Sequence, residues 1–347
     1  MYRYFGAFIA GTEEIVAAIL RQGLPGGSVR ALSPGAVEFE AGQPYRRLSL
    51  PCFNNLFRVI WSAPAAPTKA GLEKFLRALP SARADWPAAR PEEGKGRSFR
   101  LVVSCKNQLV GVSRPAKEAA EKKLAAETGL RLDRSLPDWE FWALVRDDGR
   151  AYLLRRLTRH RAYDKLLHPG ELHPELAYML CWLTDPRPTD RVADPFCGYG
   201  AIPAQRCARF PYASLYAGDL ATGPLEAARQ KLQKYKGVTV ARQDALRLPE
   251  TLGHGALDAI ITDPPWGLYG DVGMELGEFY RLMLAAFAGA LKPGGRAVVL
   301  TAAKRELAAA LAGTPALSLS GRWDILVSGK KGAIFRLSKA GGAPPRP

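Results

Sequence analysis

From about Leu172 onward, short apolar runs alternate with helical stretches, and no other feature restricts the possible folds of this chain as much. Val192–Ala193 precedes a glycine turn and a helical span over Ala201–Phe210. Leu215–Gly218 leads through Asp219 into a helix over Pro224–Lys234, and Val238–Ala241 leads to Asp244. Asp258–Thr262 leads to Asp263-Pro264-Pro265-Trp266. A helix over Glu278–Leu291 stops at Lys292-Pro293-Gly294-Gly295, and Ala297–Thr301 is a further apolar strand. Strands this short and apolar, separated by helices, predict the α/β class: a mostly parallel sheet covered on both faces. The end of the chain breaks the alternation. Asp324–Val327 and Ala333–Leu337 flank a Ser-Gly-Lys-Lys-Gly turn, so a hairpin is expected and the last strand should run antiparallel.

The first half has a different texture. Tyr4–Ile9 reads as a strand, and Thr12 is placed to cap a helix that carries Glu13 and Glu14 in its first turn and Ile15, Ile19 and Leu20 on one face. Strand-like pieces follow at Ala36–Phe39 and Arg58–Trp61, then a helix over Lys69–Leu79. Residues 80–97, rich in Pro, Ala and charge, read as a surface loop or joint. A second α+β stretch begins with a strand at Phe99–Ser104 and a basic turn containing Lys106. It continues with a helix over Pro115–Thr128, with Pro in its first turn and Gly129 after its end. Strands over Trp139–Val145 and Ala151–Leu157 complete it, joined by Asp147-Asp148-Gly149-Arg150. Three domains are expected: residues 1–65, 66–160 and 161–347.

The formal net charge is +16, and it is uneven: the first 165 residues hold 28 Lys and Arg against 17 Asp and Glu. An excess of this size favours a polyanionic partner through phosphate neutralisation. Lys106, Arg155, Arg156, Arg159 and Arg161 are the candidate phosphate contacts, the last four concentrated just before the α/β domain. Five scattered cysteines without zinc spacing suggest reduced thiols in the cytoplasm, with neither a disulfide framework nor a metal site. No uncharged apolar run is long enough to span a bilayer, and the N-terminus lacks the layout of a secretory signal. A monomer is expected, with no membrane partner.

In open parallel sheets ligands bind beyond the carboxyl ends of the strands. Four aspartates fall at such ends: Asp194, Asp219, Asp244 and Asp263. Helix capping accounts for one of them but poorly for four, so a ligand rich in hydrogen-bond donors is indicated. The first turn, Asp194-Pro195-Phe196-Cys197-Gly198-Tyr199-Gly200-Ala201, has glycines that let backbone pass close to a ligand. It lacks both the third glycine of the dinucleotide fingerprint and the lysine of a P-loop.

The run DPFCGYGAI resembles the D-P-F/M-C-G-S-G-T-I motif of class I methyltransferases that modify RNA amino groups. Asp219, Asp244 and D-P-P-W at 263–266 follow in the expected order. The basic first half is similar to the ferredoxin-like plus THUMP region that precedes this catalytic domain in THUMP-domain RNA methyltransferases. The catalytic resemblance spans about residues 165–340. The looser THUMP resemblance, over about 66–160, rests on element order and on SFRLVVS followed by PDWEFWALV.

The resemblance implies a Rossmann-like class I domain, S-adenosylmethionine as cofactor and structured RNA, best tRNA, as partner. Asp194, Phe196 and the Gly198–Gly200 turn would face the methionine part of the cofactor. Asp219 would accept from the ribose hydroxyls and Asp244 from the adenine amine. Tyr199 and Ala201 stand where the family usually has Ser and Thr, so two hydroxyl contacts are lost there.

Asp263, Pro264, Pro265 and Trp266 are the catalytic set. A base amine is a poor nucleophile because its lone pair is delocalised into the ring. A carboxylate and a rigid Pro carbonyl can accept its two N–H bonds, and Trp266 offers a face for a flipped-out base. Guanine N2 in tRNA is the first expectation. The alternatives are ribosomal RNA, adenine N6, a small-molecule methyltransferase and a non-catalytic RNA-binding protein that keeps the fold. Cys197 could be offered as a nucleophile but sits inside the cofactor turn, where a structural role is favoured. The four histidines form no metal or triad spacing.

Overall fold

Backbone polar groups, once removed from water, must pair, and this chain pairs them in two sheets. The computed structural model describes residues 1–347 except 25, 46, 47, 49, 82–95, 159–166, 268–272, 328 and 342–347. The chain divides into two compact units, residues 1–8 with 17–161 and residues 9–16 with 162–347. None of the helices among the described residues is long and apolar enough to cross a membrane.

The first half runs β1 (Tyr2–Ala7), α1 (Glu13–Gly23), β2 (Ser28–Ser33), β3 (Ala36–Ala41), β4 (Asn55–Pro64) and α2 (Lys69–Arg77). It continues with β5 (Ser98–Cys105), β6 (Gln108–Leu109), α3 (Arg114–Thr128), β7 (Arg131–Leu132), β8 (Trp139–Val145) and β9 (Arg150–Arg156). One nine-stranded sheet results, in the order β2-β3-β1-β4-β9-β8-β5-β6, with β7 also paired to β5. The antiparallel β4–β9 pairing, from Phe57 opposite Arg156 to Pro64 opposite Arg150, makes residues 1–65 and 66–160 parts of that single sheet.

Local chemistry sets the helices. Thr68 caps α2 by accepting from the Gly71 amide, and Leu72, Phe75 and Leu76 are buried. Pro115 sits in the first turn of α3, and Gly129, at φ +73°, ends it in the left-handed conformation. The expected cap on α1 is not made by its side chain: the Thr12 hydroxyl donates back to the Ile9 carbonyl at 2.7 Å.

The second unit holds α4 (Pro174–Trp182), β10 (Arg191–Asp194), α5 (Ala201–Arg209), β11 (Ser214–Asp219), α6 (Thr222–Leu232), β12 (Val238–Arg242), α7 (Leu248–Leu252) and β13 (Leu257–Thr262). Then follow α8 (Leu276–Ala290), β14 (Leu291–Thr301), α9 (Lys304–Ala312), β15 (Leu317–Val327) and β16 (Lys330–Lys339). The seven strands lie in the order β12-β11-β10-β13-β14-β16-β15. The first five are parallel, and β16 runs antiparallel to both β14 and β15, which is the Rossmann-like sheet with a C-terminal hairpin. The chain leaves β12 and returns on the other side of β10 as β13. The crevice at the carboxyl ends therefore opens between β10 and β13.

The sequence pattern misses α4 because seven of its nine residues, Glu175–Cys181, are buried, so no polar face marks its period. It also places β14 too late. The strand begins at Leu291, which pairs with Leu257, and an irregularity absorbs the Lys-Pro-Gly-Gly turn before Arg296 pairs with Ala259.

Beneath the sheet lies a buried ionic knot. Asp190, 1% exposed, accepts from Arg206 at 2.8 Å, from Arg296 at 2.7 and 2.9 Å, and from the Arg187 amide at 2.9 Å. Arg206, fully buried on α5, also reaches the Thr184 hydroxyl and the Pro211 carbonyl, while Arg296 on β14 reaches the Thr184 and Asp185 carbonyls. Removing the only carboxylate would leave two cations without compensation. Asp190→Ala is expected to destabilise the protein by about 3–5 kcal/mol, read from denaturant midpoints at constant slope. A loss below about 1 kcal/mol would show that the two arginines find other partners.

Candidate active site

The carboxyl ends of β10, β11 and β13 frame a cavity of about 660 Å³. Its wall includes Asp194, Phe196, Cys197, Gly198, Tyr199 and Asp219 on one side and Asp263, Pro264, Pro265 and Trp266 on the other. Residues 167–173 and two hairpin residues, Val327 and Lys330, also line it. Eight of the ten proposed cofactor and catalytic residues are thus brought to one cavity. Gly200 and Asp244 are not among its lining residues.

The two glycines of the turn do different things. Gly198, at φ +48°, has nothing within 4 Å of the position a Cβ would take, so its backbone lies open to a ligand. Gly200, at φ +79°, would place a Cβ 3.1 Å from that of Ala228 on α6, so it serves helix packing. Asp244 accepts from the Leu246 amide at 3.0 Å and caps a short 3₁₀ turn.

Asp194 is 2% exposed. Its Oδ1 accepts from the Thr262 hydroxyl at 2.7 Å and from the Phe196 amide at 3.2 Å. Its Oδ2 is buried and finds no hydrogen-bond partner among the described residues. Loss of solvation pushes its pKa up to about 8. Such an acceptor fits a cationic, hydrogen-bond-donating ligand such as an ammonium group. Asp219 accepts from the Gly198 amide at 2.8 Å through Oδ2 and from the Ala221 amide at 2.9 Å through Oδ1. It locks the glycine turn to the end of β11 and keeps lone pairs for further donors.

On the opposite wall, Asp263 Oδ1 accepts from the Trp266 indole at 2.7 Å, and burial raises its pKa to about 7. This bond fixes the indole on the cavity wall. Cys197 is buried, and desolvation, with Asp194 and Asp219 nearby, pushes its thiol well above the usual range. That environment suits packing and not a thiolate nucleophile.

Several residues of the site carry no signal in the sequence pattern. Tyr280 on α8 donates to the Pro265 carbonyl at 3.0 Å and lies 2.6 Å from the Thr301 hydroxyl, which in turn accepts from the Ala303 amide. Donation then runs from the Ala303 amide to the Thr301 hydroxyl to the Tyr280 hydroxyl and ends on the Pro265 carbonyl. This chain pins the second proline, next to Pro264 on the cavity wall. His168 stacks on Tyr199 with ring centroids 4.2 Å apart and 7° between planes, so the residue that replaces the family's Ser holds the 167–173 segment at the cavity wall.

The proposed RNA contacts fare unevenly. Lys106 lies in the turn between β5 and β6, exposed and 3.3 Å from Asp147. Arg155 is 5% exposed, with its guanidinium over the Trp139 ring at 5.1 Å. Arg156 is bonded to Glu140 at 2.8 Å, and its side chain is 12% exposed. Neither arginine offers much of its surface to a phosphate, because adjacent residues in a strand point to opposite faces and both faces are covered here. Arg159 and Arg161 lie outside the described residues.

The RMKL-like methyltransferase domain matches residues 161–318. The tRNA (guanine(10)-N2)-dimethyltransferase of Methanothermobacter thermautotrophicus is 33% identical over 187 residues, 49% of this chain and 52% of that relative. The tRNA (guanine(6)-N2)-methyltransferase of Thermus thermophilus is 32% identical over 238 residues, 66% of this chain and 67% of that one. The chain thus spans about half the length of the first relative and two thirds of the second. Among solved structures, TrmN from Thermus thermophilus superposes with a TM-score of 0.78 at 26% identity, covering 98% of this chain and 100% of that one.

If the hydroxyl chain acts as a unit, its members should be energetically coupled. Tyr280→Phe and Thr301→Val are each expected to cost about 1 kcal/mol, with a double-mutant coupling of at least about 0.5 kcal/mol in denaturant unfolding. Strict additivity would show that the two hydroxyls act separately.

Proposed function

We propose, from the premise that this chain belongs to the family of class I S-adenosylmethionine-dependent tRNA guanine-N2 methyltransferases, that it methylates the N2 amine of a guanine in tRNA. The observation that carries this reading is the joining, in one cavity, of an unpartnered buried carboxylate oxygen on Asp194 and the Asp263-Pro264-Pro265-Trp266 turn. Bound S-adenosylmethionine would supply an electrophilic methyl group on a sulfonium, with the methionine ammonium facing Asp194. Gly198 gives its backbone room, and Asp219 accepts from the ribose hydroxyls. Asp244, an acceptor at the end of β12, is assigned to the adenine edge.

Trp266 provides a face for the extruded guanine. Asp263 and the Pro264 carbonyl accept its two N2–H bonds and direct the lone pair out of the ring plane toward the methyl carbon. Transfer to the amine would leave the cofactor as its neutral thioether, so the proton lost from nitrogen is the one the protein has to receive. The extra proton on nitrogen passes to Asp263, whose pKa near neutrality suits it to receive and release that proton. Residues 66–160 are assigned to RNA recognition as a THUMP-like domain preceded by a ferredoxin-like subdomain at 1–65. Free cysteines throughout accord with a reduced, cytoplasmic setting, and a monomer is the assembly assigned to it.

Transfer of labelled methyl from S-adenosylmethionine to unmodified tRNA and ribosomal RNA, followed by nucleoside mass spectrometry, tests the assignment. N2-methylguanosine from tRNA is expected. Label in N6-methyladenosine or in ribosomal RNA alone would replace the target, and cofactor binding without label in either RNA would reject it. Asp263→Ala is expected to reduce turnover by about 10² or more while RNA affinity stays within a few-fold; equal loss of both would remove Asp263 from the chemistry.

The raised carboxylates give a second test. Below about pH 8 Asp194 is mostly protonated in the free enzyme, and a bound ammonium favours its ionised form. Cofactor binding at pH 7 should therefore release a proton, seen as a dependence of the calorimetric enthalpy on buffer ionisation, and affinity should rise with pH up to about 8. Asp194→Asn should abolish the buffer dependence. No proton release in the parent enzyme would show that Asp194 does not meet the cation.

A further inference from the structure

The nine-stranded sheet has one face covered by α2 and α3, where Leu72, Phe75, Ala120 and Leu124 pack against Leu101, Phe141, Ala143 and Leu153. Side chains on the opposite face alternate with these. On β3 that face carries a buried glutamate, Glu38, whose side chain is 1% exposed. Three arginines from three different strands converge on it. Arg3 donates to Oε1 at 2.7 Å, Arg30 lies 3.8 Å from the same oxygen, and Arg150 lies 3.5 Å from Oε2, which also accepts from the Tyr152 hydroxyl at 3.2 Å.

A single carboxylate neutralises one guanidinium. Arg30 has a second partner in Glu40, so the cluster of three arginines and two glutamates keeps a net positive charge. Stability alone does not call for a third arginine, because like charges gathered at a few ångströms repel one another. Nor are these arginines sealed in: their side chains are 32%, 48% and 55% exposed. Glu38 lies beneath: Arg3 donates to it through Nε and Nη2, and Arg30 and Arg150 stay within ion-pair distance, which gathers the three guanidiniums while their other N–H groups can meet a phosphate. Arg146 adds a fourth cation beside them, held 5.8 Å over the Phe5 ring and bonded to the Ser33 hydroxyl and the Pro34 carbonyl.

We propose that this arginine cluster on the sheet face opposite α2 and α3, centred on Arg3, Arg30 and Arg150, binds the phosphodiester backbone of the substrate RNA, with Glu38 as its positioning residue. The assignment rests on the reading that the substrate is RNA. It moves the phosphate contacts from the covered pair Arg155 and Arg156 to residues whose guanidinium edges are accessible. Guanidiniums gathered in this way lose little freedom on binding, and each phosphate met releases condensed counterions, so the contribution should be strongly salt-dependent.

The test uses the full chain and an unmodified tRNA transcript, with affinity measured over a range of salt concentrations. R3Q/R30Q/R150Q should lower the slope of log K against log salt by about 2 to 3 and weaken binding roughly tenfold or more near 0.1 M salt. Cofactor affinity should stay unchanged. Arg30→Gln and Arg150→Gln, at the two most exposed positions, should each lower the slope by about 1 and serve if the triple variant does not fold. An unaltered slope in folded variants would overturn this surface and leave the RNA methyltransferase reading standing. Salt-dependent tRNA binding that is lost in the variants, in an enzyme that methylates no RNA, would support the surface and reject that reading. A parent protein that binds the transcript at no salt concentration would overturn the proposal.

Discussion

A hydrogen bond of 2.7 Å between the Thr262 hydroxyl and Asp194 Oδ1 ties together the carboxyl ends of β10 and β13. Both residues are buried, and the topological switch of the parallel sheet falls between these two strands. On one side of the bond the chain turns into the glycine segment that Asp219 holds. On the other it continues directly into Asp263 and the two prolines. The parallel ladder sets the cofactor wall beside the reacting turn, and this side-chain contact fixes the two strand ends beyond the last ladder pair, Ala193 with Ile260. Such contacts position groups more tightly than loops can, and displacement transfer is sensitive to errors of about 1 Å.

That arrangement has an electrostatic cost. Asp194 and Asp263 both lose their hydration and both titrate well above the ordinary carboxylate range, with the charge on Asp263 adding to the rise at Asp194. A buried carboxylate with an unpartnered oxygen is unfavourable for folding and favourable for binding a cation. The unfavourable solvation in the free protein becomes affinity when an ammonium or sulfonium arrives. The hydroxyl chain from Thr301 through Tyr280 to Pro265 works in the opposite sense: it is fully paired, so it adds rigidity where the turn must not move.

The parts of this site legible in the sequence are those in which chemistry and backbone geometry are consecutive. Asp194 through Gly200 and Asp263 through Trp266 each compress a strand end, a turn and a functional group into a few residues, and both lie where the alternation of elements puts them. Thr262, Tyr280 and His168 were not legible because their roles come from contacts across the fold: Tyr280 lies 15 positions beyond Pro265 on another element, and its apolar helix gives no reason to single it out. The missed α4 has the same origin, since a helix buried all round loses its period. Arg155 and Arg156 show the converse error. A run of basic residues looks like a patch in one dimension, but in a strand its members face opposite sides, one over Trp139 and the other against Glu140.

The two units each use a buried carboxylate to gather arginines, and exposure decides what the gathering does. Asp190 draws Arg206 and Arg296 into an interior where their side chains are 0% and 9% exposed and backbone carbonyls take further donors. Both guanidiniums there are held within the protein and shut away from solvent, although the buried Arg206 Nε has no partner among the described residues. Glu38 is as deeply buried as Asp190, yet its arginines reach it from the surface and keep about a third to a half of their side chains exposed. Coulomb attraction orients the guanidiniums in both cases. Only around Glu38 does the surplus positive charge stay at the boundary with water, where a phosphate can replace solvent at modest desolvation cost. The same pairing rule thus gives a structural knot in one unit and a polyanion surface in the other, and the difference lies in how far the cations, not the carboxylate, are withdrawn from solvent.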